Sequence, residues 1–523
     1  MESQPPHNKP ADAKSWSLKS WLLSILSLFS ILFIVLTLQA SWHHPQEQTK
    51  LDLLQTDLIL QASQPAYDRA VQDNNSSQIA QLLLSDGGSQ DIYAQALKSY
   101  QEVLKSNQAV LERELTDSSL ASLDIPLKKR LHIVSELGIR TGLLQIQTGQ
   151  RSEAIATWQN VGQIEGQEMT KYGLTAKILI GLWSEPAMLF PDAEAQIRRS
   201  LDGWYQYAAL TKLYEVQQRS DKLPELAQSQ QVDITSAINR LLIVNLIPLV
   251  GGGVGLLLWL FLLGQWIFFR QSSPLTVSKE SSNRLWQVPW GLDKIWEVMV
   301  LWFTAFCLMT QFILPLIFDF LGLTRNVQES YLLQSLLVLI PYVLSVMPML
   351  PILHLSLEAY RPLPVGWFQF KLLPPQWLLW GVGGYFASVP LVVIVSLVSQ
   401  KLLQGQGGGN PLLPILVDSQ DNIPKFLLWV TLAIAAPFFE EYLFRGFLLP
   451  SLTKLMPIWG AIAISGFLFA LAHLNVADII PLSVLGIVMG FVYWRSGNLL
   501  SSMLLHCLWN SGSFLALIAL GGK

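Results

Sequence analysis

The stretch PFFEEYLFRG, residues 437–446, places three charged side chains inside an apolar run that extends over about residues 426–450. Glu441 and Arg445 are four residues apart on one helix face, so they can form an ion pair. Glu440 is turned away from that face by roughly 100° and has no cation on its own helix. An ionisable group inside a membrane helix costs about 2.5 to 3.5 kcal/mol on insertion scales, so its presence indicates a functional site.

The composition extends the membrane interpretation to the rest of the chain. Of 523 residues, 51% are hydrophobic and 14% are charged, whereas an ordinary soluble domain carries about 25% charged residues. The net charge of -3 offers no cationic surface for phosphates, so nucleic acid is not an expected partner. The two cysteines, Cys307 and Cys507, both lie in apolar runs and cannot build a disulfide framework or a cysteine zinc site.

Nine apolar stretches reach or approach the roughly 20 residues that a helix needs to cross a bilayer. They are residues 20–40, 241–269, 296–323, 331–357, 377–400, 426–450, 458–475, 479–495 and 499–520. The sequence therefore predicts an all-α fold, a polytopic membrane helix bundle of about nine spans with an inserted α-helical domain.

The first span and the loop charges predict how the chain is oriented. The first run is long enough to span and lacks a clear small-x-small cleavage site, which favours a retained anchor over a signal peptide. Lysines before it predict a cytoplasmic N-terminus, and counting spans from there keeps most loop cations on the cytoplasmic side. These cations are Lys9, Lys14, Lys19, Arg270, Lys279, Arg284, Arg361, Lys371, Lys454 and Arg495.

Four segments follow from this topology. They are residues 1–41, the N-terminus and first anchor; 42–238, an extracytoplasmic helical domain; 239–294, the second membrane helix and a cytoplasmic linker; and 295–523, the helical unit that carries the charged motif. Within 42–238, the segments Gly142–Val161 and Tyr205–Gln228 resemble tetratricopeptide-type (TPR-like) helix hairpins, which bind partners when they stack. A protein-binding domain and a plain helical spacer both stay open.

Two later apolar runs supply polar partners for Glu440. His473 ends the seventh run, with Phe469 one turn earlier, and His506 and Asn510 lie four residues apart in the ninth. An imidazole can act as a base, a metal ligand or an oxyanion donor, and a side-chain amide can also donate to an oxyanion. A lone membrane histidine, by contrast, is ordinarily a packing hydrogen bond between helices.

The three motifs Glu-Glu-x-x-x-Arg, Phe-x-x-x-His and His-x-x-x-Asn, on separate apolar helices between residues 440 and 510, resemble the CPBP family. That family comprises type II CAAX prenyl endopeptidases and bacteriocin-processing or Abi-type membrane proteins. The resemblance implies an intramembrane endopeptidase in which Glu440 activates a water and His473 shares that water or a metal. It also implies that His506 and Asn510 stabilise the oxyanion. Glu441, Arg445 and Phe469 are expected in supporting roles.

Several alternatives remain open at this point. A divalent metal such as zinc at Glu440, His473 and His506 would suit three such ligands, but cysteine ligands and the His-Glu-x-x-His spacing are missing. The expected partners are the lipid bilayer, a membrane protein or peptide substrate, and a protein bound through residues 42–238. The alternative function is a catalytically silent membrane scaffold; a proton-coupled transporter is disfavoured because no repeat relates two halves of the chain.

The proposed chemistry also predicts the shape of the sixth helix. Glu440 can meet His473 only if that helix continues to about Thr453, past Pro450, and if the seventh helix enters late or tilts.

Overall fold

The computed structural model describes residues 18–43, 48–63, 89–116, 124–164, 171–276, 286–323, 330–403 and 421–521, with 407, 415, 416 and 419 between the last two ranges. Every regular element in these ranges is helical, so the predicted all-α polytopic bundle is confirmed. The predictions for Lys9, Lys14, Lys279 and Arg284 fall outside the described residues.

The helices are numbered here in chain order. They are α1 (Leu18–His43), α2 (Gln48–Ala62), α3 (Ser89–Thr116), α4 (Asp124–Gln147), α5 (Arg151–Ile164), α6 (Lys171–Leu182), α7 (Ala193–Ser200), α8 (Gly203–Val216), α9 (Lys222–Phe268), α10 (Leu292–Phe320), α11 (Tyr331–Val346), α12 (Met349–Ser356), α13 (Gln376–Leu403), α14 (Asn422–Leu452), α15 (Ile458–Leu471), α16 (Val476–Ser496) and α17 (Leu499–Gly521).

The chain divides into two compact units. One comprises residues 1–46, 248–515 and 523, and the other comprises residues 47–247 and 516–522. In the described part of the chain, eight helices are long and apolar enough to cross a membrane: α1, α9, α10, α11 with α12, α13, α14, α16 and α17. The protein is therefore an integral membrane protein. Its orientation and the predicted domain limits stay predictions.

The seventh predicted span is a short helix. Residues 458–475 were expected to span, whereas α15 has 14 residues, fewer than the roughly 20 that a crossing requires. Helix α15 ends at Leu471, and in the turn that follows Leu474 adopts a φ of 55°. The side chain of Asn475 then caps α16 by accepting a hydrogen bond from the backbone N–H of Ala477. His473 consequently lies in the turn between two helices rather than inside a span.

Helix α14 is continuous but contains two wide turns. Residues Thr431–Ala435 and Tyr442–Leu448 are π-helical, and the helix ends at Leu452. The predicted continuation to about Thr453 is therefore confirmed. Each π segment ends two residues before a proline, Pro437 or Pro450. Because the proline ring clashes with the carbonyl four residues earlier, a wider turn relieves that clash without ending the helix.

Two glycines let α15 and α16 pack backbone against backbone. A Cβ atom on Gly466 would lie 2.9 Å from the backbone nitrogen of Ile487, and one on Gly486 would lie 2.7 Å from the Cα of Gly466. Small residues at a helix contact allow this approach in membrane proteins. The contact also brings the carbonyl of Gly486 close to α14.

The unit of residues 47–247 is a stack of helices with its own apolar core. Both predicted hairpins are helix–turn–helix segments, formed by α4 with α5 and by α8 with the start of α9. Gly142 makes room for the fully buried Trp158, since a Cβ atom there would lie 2.1 Å from the indole nitrogen. Whether the unit is a tetratricopeptide domain stays a prediction.

A buried polar cluster joins four helices of this unit. The Asp57 carboxylate accepts hydrogen bonds from the hydroxyls of Tyr100 at 2.5 Å and Tyr205 at 3.0 Å, and it pairs with Arg140 at 2.8 Å. Burial raises the pKa of Asp57, while the Arg140 guanidinium acts in the opposite direction. Arg140 also pairs with Glu136 at 2.6 Å.

Candidate active site

Glu440 lies in α14 between the two π segments, and its two carboxylate oxygens have different surroundings. Oε1 accepts a hydrogen bond from the hydroxyl of Tyr342 on α11, at 3.1 Å. Oε2 is buried and has no hydrogen-bond partner among the residues that the structure describes. A buried acceptor without a donor is costly, so this atom is the natural place for a bound donor such as water.

Both predicted histidines point at this free oxygen. The Nε2 atoms of His473 and His506 each lie 4.0 Å from Oε2 of Glu440. That separation is too long for a direct hydrogen bond. The structure therefore brings Glu440, His473 and His506 together, with both Nε2 atoms just beyond hydrogen-bond reach of Oε2.

The other nitrogen of each imidazole is anchored to an acceptor. Nδ1 of His473 lies 2.9 Å from the carbonyl oxygen of Phe469, and Nδ1 of His506 lies 3.1 Å from Oε1 of Glu441. Because carbonyl and carboxylate oxygens can only accept, each Nδ1 must carry the hydrogen. A neutral ring then presents the lone pair of Nε2 towards Glu440.

Glu441 and Arg445 form the ion pair that their spacing predicts. Their closest atoms are 2.6 Å apart, and neither side chain is exposed. Arg445 also donates to the carbonyl of Gly486 at 3.0 Å, which depends on the close contact between α15 and α16. The same Glu441 oxygen accepts from His506, a contact that helix spacing alone could not predict.

Phe469 packs at the centre of these groups. Its ring centroid is 4.5 Å from the Arg445 guanidinium carbon, 4.9 Å from the His473 ring and 5.6 Å from the His506 ring. The aromatic face is attractive to the cation, and the ring excludes water from the ion pair. The supporting role expected for Phe469 stays a prediction.

The side chain of Asn510 binds the backbone of a neighbouring helix. Its side-chain nitrogen donates to the carbonyl of Leu432 at 2.7 Å, in the first π segment of α14. Next to it, Trp429 donates to the hydroxyl of Ser511 at 3.1 Å. These bonds tie α17 to the wide turn before Glu440, and the predicted oxyanion role of Asn510 stays a prediction.

Tyr342 is the site residue that sequence reasoning missed. It lies beside Pro341 in an apolar run, 98 residues before Glu440. A buried tyrosine hydroxyl generally finds a polar partner, which is the one signal that could have singled it out. Nothing local in the sequence indicates that this partner is Glu440.

The distances at the site suit a water better than a metal ion. Among the described residues, no three His, Cys, Asp or Glu side chains are grouped so as to hold a metal. Two ligands of a tetrahedral zinc would lie about 3.3 Å apart, whereas two acceptors bridged by one water would lie about 4.4 Å apart. The observed separation of 4.0 Å is closer to the second value.

Comparison with protein families gives a match over the same helices. Residues 422–512 match the family model described as Rce1-like, type II CAAX prenyl endopeptidase. Comparisons with curated proteins and with solved structures gave no match. The matched segment begins with α14 and extends into α17, and it contains Glu440, His473, His506 and Asn510. Over these residues the chain is thus similar to the type II CAAX prenyl endopeptidases.

Proposed function

We propose, from the Rce1-like domain at residues 422–512, that this protein is a membrane-embedded endopeptidase in which Glu440 activates a water. The observation that supports this most strongly is the buried Oε2 of Glu440, which has no hydrogen-bond partner among the described residues and lies 4.0 Å from Nε2 of His473 and from Nε2 of His506. A water between these atoms can donate one hydrogen to Oε2 and the other to an Nε2 atom.

The reaction then proceeds by general base catalysis. Glu440 takes a proton from the water as its oxygen attacks the carbonyl carbon of the scissile peptide bond. The carbonyl π electrons move to the oxygen, giving a tetrahedral oxyanion. When the carbon–nitrogen bond breaks, Glu440 returns the proton to the leaving amine, so the enzyme is restored and one water is consumed per bond.

The two histidines have different anchors and so suit different tasks. His473 donates to a neutral carbonyl, which leaves Nε2 as an acceptor for the water. His506 is backed by the Glu441 carboxylate, whose negative charge compensates the imidazolium that forms when Nε2 takes up a proton from solvent; that N–H then donates to the oxyanion and stays on the ring through the cycle. We assign His473 to water binding and His506 to oxyanion stabilisation.

Exposure favours entry of water and substrate from the side of His473. About a third of its side chain is accessible, compared with 18% for Glu440 and 4% for His506. The family description supports a peptide substrate that carries a prenyl group near its C-terminus; an unmodified membrane peptide is the alternative.

The proposal is tested with purified full-length protein in lipid nanodiscs. The probes are internally quenched peptides ending in Cys-Val-Ile-Met, one farnesylated and one unmodified, and new N-termini are also mapped in cell membranes. Glu440→Gln should lose at least about a thousandfold in cleavage, because an amide cannot accept the proton. Glu358→Gln, at an exposed position of the same unit, is the matched control and should retain activity.

Identical cleavage by wild type and Glu440→Gln, in both the peptide and the membrane assay, would overturn the proposal. That result would favour the silent-scaffold hypothesis instead, under which deleting residues 42–238 changes the phenotype and Glu440→Gln does not.

A further inference from the structure

Tyr342 is the hydrogen-bond donor that holds one oxygen of the proposed catalytic base. Its hydroxyl donates to Oε1 of Glu440 at 3.1 Å. It lies on α11, outside the segment of 422–512 that matches the family model. The contact is therefore a feature of this chain beyond the matched motifs.

The contact distinguishes two otherwise equivalent oxygens. The terminal torsion of a glutamate is soft and roughly two-fold, so a free carboxylate would present either oxygen to the histidines at many angles. With Oε1 held by Tyr342, the plane of the carboxylate is fixed and Oε2 faces the Nε2 atoms of His473 and His506. A base held at one angle is more effective because proton transfer depends on geometry.

The fold holds Tyr342 by packing α11 along the first half of α14. Helix α11 begins at Tyr331 and is capped by Ser330, whose hydroxyl accepts from the backbone N–H of Leu333. Near Tyr342, the hydroxyl of the buried Ser345 donates to the carbonyl of Pro341 at 2.6 Å, which links two successive turns of the helix. The tyrosine is thus presented by an ordered helix turn.

We infer that Tyr342 is a positioning residue for the reaction: its hydroxyl orients the Glu440 carboxylate so that Oε2 receives the proton. This inference rests on the proposed function, since it assigns Tyr342 a role only if Glu440 is the base. The competing interpretation is purely structural, with Tyr342 satisfying a buried oxygen and stabilising the fold.

The experiment compares Tyr342→Phe, Glu440→Gln and Tyr331→Phe, each as full-length protein in nanodiscs. Tyr331 is a partly exposed tyrosine at the start of the same helix, so its variant is the matched control. Tyr342→Phe should lower kcat for the cleaved peptide by at least about tenfold, with KM within about twofold of wild type. Tyr331→Phe should change neither constant.

Infrared spectroscopy supplies a readout that does not depend on activity. The carboxylate band of Glu440 is identified as the band that Glu440→Gln removes, and Tyr342→Phe should shift this band because the hydrogen bond to Oε1 is lost. Tyr331→Phe should leave it in place. Thermal unfolding of each variant is measured in parallel.

The outcomes separate this inference from the proposed function. If Glu440→Gln cleaves like wild type, the proposed function fails. If Glu440→Gln is inactive but Tyr342→Phe keeps the wild-type kcat and Glu440 band, the positioning role is wrong while the proposed function stands. A lower kcat with an unmoved band and a lower unfolding temperature would also overturn the positioning role, because Tyr342 would then act through stability alone.

Discussion

The carboxylate of Glu441 lies 2.6 Å from the guanidinium of Arg445, with both side chains fully buried. The same Oε1 atom also receives the hydrogen bond from Nδ1 of His506 at 3.1 Å. One oxygen therefore joins the buried ion pair to an imidazole that faces Glu440. A substitution in the ion pair should therefore affect the site by displacing the imidazole of His506.

We predict that Arg445→Met destabilises the protein by about 3 to 5 kcal/mol, because it leaves a buried carboxylate without its cation. The double variant Glu441→Gln with Arg445→Met should be less destabilised than the sum of the two single variants. Thermal and urea unfolding of the four proteins, as a double-mutant cycle, measures this coupling. Strictly additive losses would show that the pair is not a unit.

The close contact of α15 and α16 gives a second prediction. Gly466→Ala places a methyl group 2.9 Å from a backbone nitrogen that cannot move aside, so the helices must separate, at a cost of about 1 to 3 kcal/mol. The bond from Arg445 to Gly486 should weaken, and activity should fall with stability. Gly252→Ala is the control, since a Cβ atom there meets nothing within 4 Å; equal effects of the two variants would refute the argument.

Chelation gives a third prediction. Because the 4.0 Å separations suit a bridging water better than a zinc ion, cleavage should survive prolonged treatment with 1,10-phenanthroline. Metal analysis of the active, dialysed protein should find less than one zinc per chain. Loss of activity that added zinc restores would contradict this prediction and would require Glu440 and both histidines to move closer together.

The Asp57 cluster gives a prediction about pH. The pKa of Asp57 is raised above its ordinary value of 3.8 in the folded protein. The contribution of Asp57 to the free energy of unfolding is therefore fully present below pH 3.8, and it is lost as the pH rises through the pKa of the folded state. Arg140 lowers this pKa, so Arg140→Met should raise it further and extend the loss to higher pH. The variant should be about 2 to 3 kcal/mol less stable at pH 7, with a smaller deficit at pH 5.

Urea unfolding of the full-length protein at both pH values measures this difference. Arg198→Met is the control, because Arg198 pairs with Glu194 at the surface and such pairs contribute at most about 1 kcal/mol. A deficit for Arg140→Met that grows towards pH 5 would contradict the assigned linkage.

The parts of the site that the sequence predicts best are a pairing within one helix and a grouping that the family pattern supplies. The pairing of Glu441 with Arg445 follows from their spacing, and the grouping of Glu440 with His473 and His506 follows from the family pattern. Other contacts between helices could not be predicted from the sequence. No nearby sequence pattern indicates the hydrogen bond from Tyr342 to Glu440 or that from His506 to Glu441. The end of α15 at Leu471 could not be predicted either, because apolar residues continue to Leu474 although the backbone turns earlier.

The partner of Asn510 was missed for a geometric reason. Helical periodicity assumes 3.6 residues per turn, and α14 departs from this value over Thr431–Ala435 and Tyr442–Leu448. The carbonyl of Leu432 that Asn510 meets belongs to a turn that the regular pattern does not contain.

The two π segments of α14 decide how the direction of Glu440 responds to a change in the number of residues in that helix. A π segment accommodates about one more residue than the α-helix it replaces, so deleting a single residue within Thr431–Ala435 would convert it to a regular turn. Because the π turn holds its extra residue within one turn, Glu440 would keep nearly the same direction relative to the part of α14 that packs on α11, whereas a deletion in a regular turn would rotate it by roughly 100°. The π segments are thus the places where α14 can lose a residue without turning Glu440, and an insertion or deletion in the regular turns can disable this site without touching any of its polar groups.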